Sequence, residues 1–464
     1  MKNVKDEAHV TSDSSLKLKQ AALVHAILAD LQDIRAIKGP HSPHTSVQMS
    51  EALAGLQAMK GRTPFYPYVG TGRGNGAFVE LLDGSVKLDF ISGIGIYFFG
   101  RGYPAFIEAS LEAAGLEPMQ GNLEPSVDAT LLLHRLIELA GRESQLKHGW
   151  TFCSGTMANE NALKIIRQKK FPATRVFAFQ DCFAGRSSTM AEITDNPSYR
   201  DGLPLYGAVS YIPFYREDLG VEASLKEAID FIEREMRVAP NEYAALMVEL
   251  VQGEGGVRWA PKEYFRALLS FARSKSLAVW VDEVQTFGRL KSLFGFEEFE
   301  VGDLVDVVTV GKLLQVCATL YTEEFNPRPG LIAGTFTGST ASFRIARKTL
   351  EILTTQDFYG EEGRIARLSD YFYQGLKTVS EKLPPGSIAA IRANGGMVAF
   401  QYRDGDGTES QKLMLDLFKN GLITLGAGHG PYVVRMLPPM GVLTTHEIDL
   451  ACEIIYKTLL DRPN

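Results

Sequence analysis

Cysteine is scarce in this chain: Cys153, Cys182, Cys317 and Cys452 are the only four in 464 residues. They lie far apart, with no C-x-x-C pair and no histidine companion, which argues against a disulfide framework or a zinc site and for a reducing compartment. Basic runs are missing as well, and a net charge of −7 argues against a broad nucleic-acid or anionic-membrane surface. No apolar stretch reaches the ~18 residues that a spanning helix needs. The opening residues, Met-Lys-Asn-Val-Lys-Asp-Glu-Ala-His, carry acid and no apolar core. Neither a secretory nor a transit peptide is therefore expected, and the expected compartment is the cytoplasm. No internal repeat or low-complexity tract is visible.

What is present is a globular composition, 45% apolar and 22% charged, in a chain long enough to form more than one lobe. Residues 14–37 set Leu16, Leu18, Ala21, Leu23, Leu28 and Leu31 among charged positions and predict a helix, broken by Lys38-Gly-Pro-His-Ser-Pro-His44. The glycine-rich stretch Gly70–Gly76 predicts a flexible turn rather than a nucleotide loop, because no helix opens after it. The strand that follows it, Ala77-Phe-Val-Glu-Leu-Leu82, ends at the hairpin signal Asp83-Gly84. From about residue 128 helical and strand-like segments alternate, with strand candidates at 150–153, 175–179, 244–249, 277–281 and 305–310. Such alternation predicts an α/β fold whose mostly parallel sheet lies between helices. Beyond about residue 345 the pattern changes to long amphipathic helices (342–355, 361–382, 409–419, 446–460) with short strands at 396–402 and 432–437, predicting a smaller α+β domain. The expected division is an N-terminal arm and helix over 1–75, a large domain over 76–345 and a small C-terminal domain over 346–464.

Two of the strand candidates lead into single functional side chains. Val279-Trp-Val-Asp282 ends in a carboxylate, and Val305-Asp-Val-Val-Thr-Val-Gly-Lys312 ends in an amine. Ligands of open parallel sheets sit at the carboxyl ends of strands. A lysine and an aspartate delivered there suit pyridoxal phosphate: the amine forms a Schiff base with its aldehyde, and the carboxylate keeps the pyridine nitrogen protonated. Its phosphate needs an anion site. Ser154-Gly155-Thr156 stands between a strand and a helix whose Ala158, Ala162, Ile165 and Ile166 share a face, so backbone N–H groups and the helix dipole favour an anion there by ~0.3–2 kcal/mol. Taken alone, Ser-Gly-Thr is an ordinary helix cap; the downstream Asp282 and Lys312 give it meaning.

Roughly residues 77–445 resemble the class III aminotransferases among fold-type I pyridoxal-phosphate enzymes. The resemblance is carried by Ser154-Gly-Thr-Met-Ala-Asn-Glu-Asn-Ala-Leu-Lys164, Phe183-Ala-Gly-Arg186, Glu249-Leu-Val-Gln-Gly-Glu254-Gly-Gly256, Val281-Asp-Glu-Val-Gln285, Gly311-Lys312, Gly334-Thr335-Phe-Thr-Gly and Arg435-Met-Leu-Pro-Pro439, in matching order. It implies that Lys312 holds the cofactor covalently and then shuttles the substrate proton, with Asp282 paired to the pyridinium. Gln285 is implied at the ring hydroxyl and Phe183 stacked on the ring, while Ser154, Gly155 and Thr156 bind phosphate. Thr335 is implied to reach the phosphate of a neighbouring subunit, and hence a homodimer with shared active sites. Arg435 is implied to bind the α-carboxylate of 2-oxoglutarate or glutamate, with Glu254 neutralising that arginine when an amine occupies the site and Arg186 taking the other carboxylate. Ile94 falls where ornithine aminotransferase has a tyrosine, which argues against ornithine. Gly311-Lys-Leu-Leu-Gln-Val-Cys317 is similar to lysine 6-aminotransferase, and 4-aminobutyrate-like substrates also fit. The chain departs from the family pattern at Met157, Ala184, Ser339-Thr340 and Arg101-Gly-Tyr-Pro104.

The expected activity is transfer of an amino group, especially the ω-amino group of lysine, 4-aminobutyrate or (acetyl)ornithine, to 2-oxoglutarate in a ping-pong cycle. An aminomutase, racemase or decarboxylase on the same cofactor is the alternative enzyme. A catalytically inactive dimeric scaffold is the alternative that is not an enzyme.

Overall fold

The structure, a computed structural model, describes residues 14–462. Its centre is a seven-stranded sheet. In chain order its strands are β1 (Leu146–Phe152), β2 (Arg175–Phe179), β3 (Val209–Ile212), β4 (Tyr243–Val248), β5 (Ala278–Glu283), β6 (Val307–Val310) and β7 (Cys317–Thr322). Across the sheet the order is β1-β7-β6-β5-β4-β2-β3. β7 is antiparallel to both of its neighbours, and all other pairings are parallel. Every position of β4, β5 and β6 is buried, which is why these segments read as unbroken runs of apolar and β-branched residues rather than alternating ones.

Helices cover both faces. Gly155–Lys169 buries Ala158, Ala162, Ile165 and Ile166, the face the sequence predicts. Lys262–Ser274 buries Tyr264, Phe265, Leu268, Leu269 and Ala272, a run of i, i+1, i+4, i+5 and i+8 that makes one apolar stripe. Five strands match the sequence reading, whereas β3 and β7 were not anticipated.

Toward the C-terminus, helices Thr340–Thr355, Arg364–Lys382, Gly407–Lys419 and Thr445–Leu460 form as the amphipathic pattern predicts. With them goes a four-stranded antiparallel sheet in the order Ile388–Asn394, Met397–Tyr402, Val433–Met436, Leu425–Ala427. A further sheet joins Gly70–Asn75, Phe78–Leu81 and Val86–Asp89 to the distant Leu422–Ile423.

Three expectations need correction. The helix predicted over 14–37 ends at Asp30. A second helix, Pro43–Lys60, begins where only a break was expected; Ser42 caps it, its side chain accepting from the Thr45 N–H. The Gly70–Gly76 stretch is a strand rather than a flexible turn, paired antiparallel with Phe78–Leu81. A Cβ at Gly74 would collide with Arg101, so the absence of side chains serves close packing there. Among the described residues no helix is long and apolar enough to cross a membrane.

Candidate active site

The parallel strands deliver their carboxyl ends to one edge of the central sheet, and antiparallel β7 begins there. A cavity of about 370 Å³ opens at that edge. Its walls include Ser154, Gly155 and Thr156 after β1, Phe183 after β2, and Glu249 and Glu254 after β4. Asp282, Val284 and Gln285 come from β5 and the turn beyond it, and Lys312 from the turn after β6. Residues scattered across the sequence therefore meet because the strands that carry them are neighbours.

Asp282 is buried and accepts from Asn159 Nδ2 at 2.6 Å and the Val284 N–H at 2.9 Å. Burial raises its carboxyl above its ordinary value, against the opposing pull of these hydrogen bonds and of the Lys312 charge. Lys312 faces the cavity with backbone φ of 49°, in the left-handed region. Burial pulls its amine down to about 8, against the opposing pull of the Glu254 carboxylate. The 3₁₀ turn Lys312–Leu314 begins at this residue, so the strained backbone aims the side chain at the cavity instead of extending the strand.

Ser154 caps the helix Gly155–Lys169, its hydroxyl accepting from the Met157 N–H at 3.2 Å. The N-terminal turn of that helix thus opens into the cavity at a point where an anion is favoured.

At the other side stands an ion pair: Arg435 Nη2 lies 2.8 Å from Glu254 Oε1, and the arginine side chain is fully buried. Arg435 Nη1 donates to Gln285 Oε1 at 3.2 Å. A Cβ on Gly253 would collide with the Gln285 amide, so only glycine lets this loop pass. Burial raises the Glu254 carboxyl, but the charges of Arg435 and Lys312 outweigh it and hold the group below its ordinary value.

Each candidate from the sequence has a definite place. Lys312, Asp282, Gln285, Glu254, Phe183, Ser154, Gly155 and Thr156 line the cavity, and Arg435 stands directly behind Glu254. Ile94 does not line it; the residue is 40% exposed, and Ile96 supplies the wall instead. The left-handed φ of 64°, 61° and 84° at Gly93, Ile94 and Gly95 turn the chain between them. Thr335 is exposed, on a loop held where the Asn122 N–H donates to the Gly334 carbonyl at 3.0 Å. Arg186 is exposed beside the cavity, and its backbone N–H donates to Thr156 Oγ1 at 3.4 Å.

Glu249 and Asn159, also on the cavity wall, had no role assigned from the sequence. Glu249 accepts from the Phe183 N–H at 2.8 Å, and burial followed by the Asp282 charge raises its carboxyl to about 8. Asn159 donates from the helix Gly155–Lys169 to both Asp282 and the Ala184 carbonyl, the latter at 2.7 Å. Both residues stand inside motifs already singled out, but their partners are set only by the fold.

The model of the family described as aminotransferase class-III matches residues 60–459. The chain belongs to the class III aminotransferases. Acetylornithine aminotransferase of Caldanaerobacter subterraneus subsp. tengcongensis is 30% identical over 398 residues, covering 82% of this chain and 92% of that protein. A diaminobutyrate–2-oxoglutarate transaminase of Wolinella succinogenes is 28% identical over 381 residues, covering 79% and 86%. Among solved structures, a Bacillus anthracis aminotransferase superposes with a TM-score of 0.80 at 21% identity, over 89% of this chain and 98% of that one. Lysine aminotransferase from M. tuberculosis superposes with a TM-score of 0.77 at 22% identity, over 88% and 98%. The fold is that of the fold-type I pyridoxal-phosphate enzymes, as the resemblance implies; the alternation of segments predicts only its mostly parallel sheet between helices.

Class III aminotransferases depend on pyridoxal phosphate. The cavity of this aminotransferase fits that group: an amine at one wall, a carboxylate raised by burial, a helix N-terminus and two apolar side chains, Phe183 and Val284. When bound, the cofactor supplies an electron sink for the bond cleaved at the substrate's amine-bearing carbon. Lys312, on the cavity wall, would be the residue to hold it covalently and to move the proton at that carbon. The neutral amine is the nucleophile, so covalent capture of added cofactor by apoprotein should quicken as pH rises through about 8 and level off above it. Stopped-flow absorbance measures this, and a rate flat across that range would contradict the assignment.

Proposed function

We propose that this aminotransferase moves the terminal amino group of a diamino or ω-amino acid to 2-oxoglutarate in a ping-pong cycle. Lysine, 4-aminobutyrate and (acetyl)ornithine are the donor class. One observation carries the reading: the fully buried Arg435 is neutralised at 2.8 Å by Glu254, which lines the Lys312 cavity. With the pair closed, the guanidinium charge is neutralised and the site accepts a donor's amine end. With Glu254 displaced, the guanidinium fork is free for the α-carboxylate of 2-oxoglutarate. Arg186 then takes the second carboxylate. The relatives named for acetylornithine and for diaminobutyrate with 2-oxoglutarate support this donor and acceptor class.

The exposed Thr335 loop supports a homodimer in which Thr335 reaches the partner's phosphate site; a fully active monomer in solution would remove that part. The reading places the enzyme in the cytoplasm.

The test is glutamate release from a panel of amines with 2-oxoglutarate, run on wild type and on Glu254→Gln. At least one ω-amino donor should yield glutamate. In the variant the amine half-reaction should slow by about tenfold or more, the worth of a charged hydrogen bond, while the 2-oxoglutarate half changes far less. No glutamate from any donor would sink the transaminase with this acceptor, and equal damage to both halves would sink the switch.

A further inference from the structure

Arg186 is exposed, and among the described residues its guanidinium forms no ion pair and no side-chain hydrogen bond. It is nevertheless held. Its guanidinium carbon lies 3.5 Å from the centroid of the Tyr199 ring, a stacked contact that fixes the plane without using an N–H donor. All five donors stay available to a carboxylate.

The ring is itself fixed. Tyr199 closes the short 3₁₀ turn Pro197–Tyr199, which Asn196 caps by accepting from the Ser198 N–H at 3.1 Å and the Ser198 hydroxyl at 2.7 Å. The Asn196 amide nitrogen lies 2.9 Å from His429 Nε2, and His429 Nδ1 lies 3.1 Å from Asp181 Oδ1. Asp181 in turn holds Arg258 at 2.7 Å. The turn that carries Tyr199 is thereby tied to the segment just before Phe183. Phe183, on the cavity wall, meets the Tyr199 ring edge-on, with centroids 6.3 Å apart and planes at 87°.

We infer that Tyr199 is the seat that aims Arg186 at the second carboxylate of a dicarboxylic substrate, a positioning residue for acceptor choice. The inference rests on the reading of Arg186 given under the proposed function. Without the ring, a long and exposed side chain regains its rotamers and must be ordered again at each binding event. The loss falls on dicarboxylates and spares acceptors that have no second carboxylate.

The experiment measures kcat and KM of the holoenzyme for 2-oxoglutarate and for pyruvate in wild type, Tyr199→Leu, Tyr199→Phe and Arg186→Ala. Tyr199→Leu should raise the 2-oxoglutarate KM by about five- to tenfold with kcat and the pyruvate KM little changed. Tyr199→Phe, which keeps the ring, should match wild type. Tyr199→Gln, of similar reach but without a ring, replaces the leucine variant should that one lose its cofactor. A 2-oxoglutarate KM unmoved in the ringless variants, or moved equally with that of pyruvate, overturns the seat while leaving Arg186 in its role. An Arg186→Ala enzyme with unaltered 2-oxoglutarate KM overturns the role of Arg186 first, and the seat with it.

Discussion

Lys312→Ala should turn over at least about 10⁴-fold more slowly than wild type, the scale of a lost proton-transfer group, before the lost covalent attachment is counted. The substitution removes the one amine on the cavity wall and leaves the remaining anchors in place: the Asp282 carboxylate, the helix N-terminus at Ser154–Thr156 and the Phe183 ring. Cofactor should therefore still bind, but without a covalent link. Steady-state glutamate release reads the rate. Borohydride reduction followed by denaturation and mass measurement reads the link, which wild type should keep and the variant lose. Ordinary turnover by the variant, or a cofactor fixed to another residue, would overthrow the assignment of Lys312.

Asp282→Asn should slow the reaction by about 10³-fold. A carboxylate and a ring cation at ~4 Å and an effective dielectric near 20 attract by about 4 kcal/mol, which as a barrier is about a thousandfold. The substitution is not silent in the fold either. Asn159 Nδ2 now donates to Asp282 at 2.6 Å, and an amide placed there would set one N–H₂ against another. Asn159 Oδ1 is buried without a partner, so flipping the Asn159 amide restores the contact but strips the Ala184 carbonyl of its donor. Cofactor absorbance of the variant, measured with its rate, separates the two effects. A variant within about tenfold of wild type at full cofactor content would show that the carboxylate does not hold the ring nitrogen.

These two residues were legible because they end strands whose every position is buried, and such strands announce themselves as β-branched runs. β7 was not legible. Cys317–Thr322 follows β6 without a helix, and only its antiparallel pairing with both β1 and β6 makes it central. Gly70–Asn75 has almost no strand propensity of its own; pairing with Phe78–Leu81 and the closeness of Arg101 to Gly74 decide its form. Glu249 and Asn159 lay within the motifs named above, yet what marks them is a partner brought in from a distant part of the chain. Tyr199 carries no local signal, since its meaning is a 3.5 Å contact with Arg186. The helix from Pro43 was missed although Ser42 and Thr45, which form a reciprocal cap, gave a local signal for it.

Glu254 follows β4, whereas its partner Arg435 comes from the strand Val433–Met436 of the C-terminal sheet. During synthesis the cofactor's anchors, up to Lys312, leave the ribosome well before that arginine does. Until it docks, the nascent protein holds a buried-side carboxylate with no guanidinium to answer it. On the proposed reading of this pair, substrate choice therefore waits for the strand Val433–Met436 to be made.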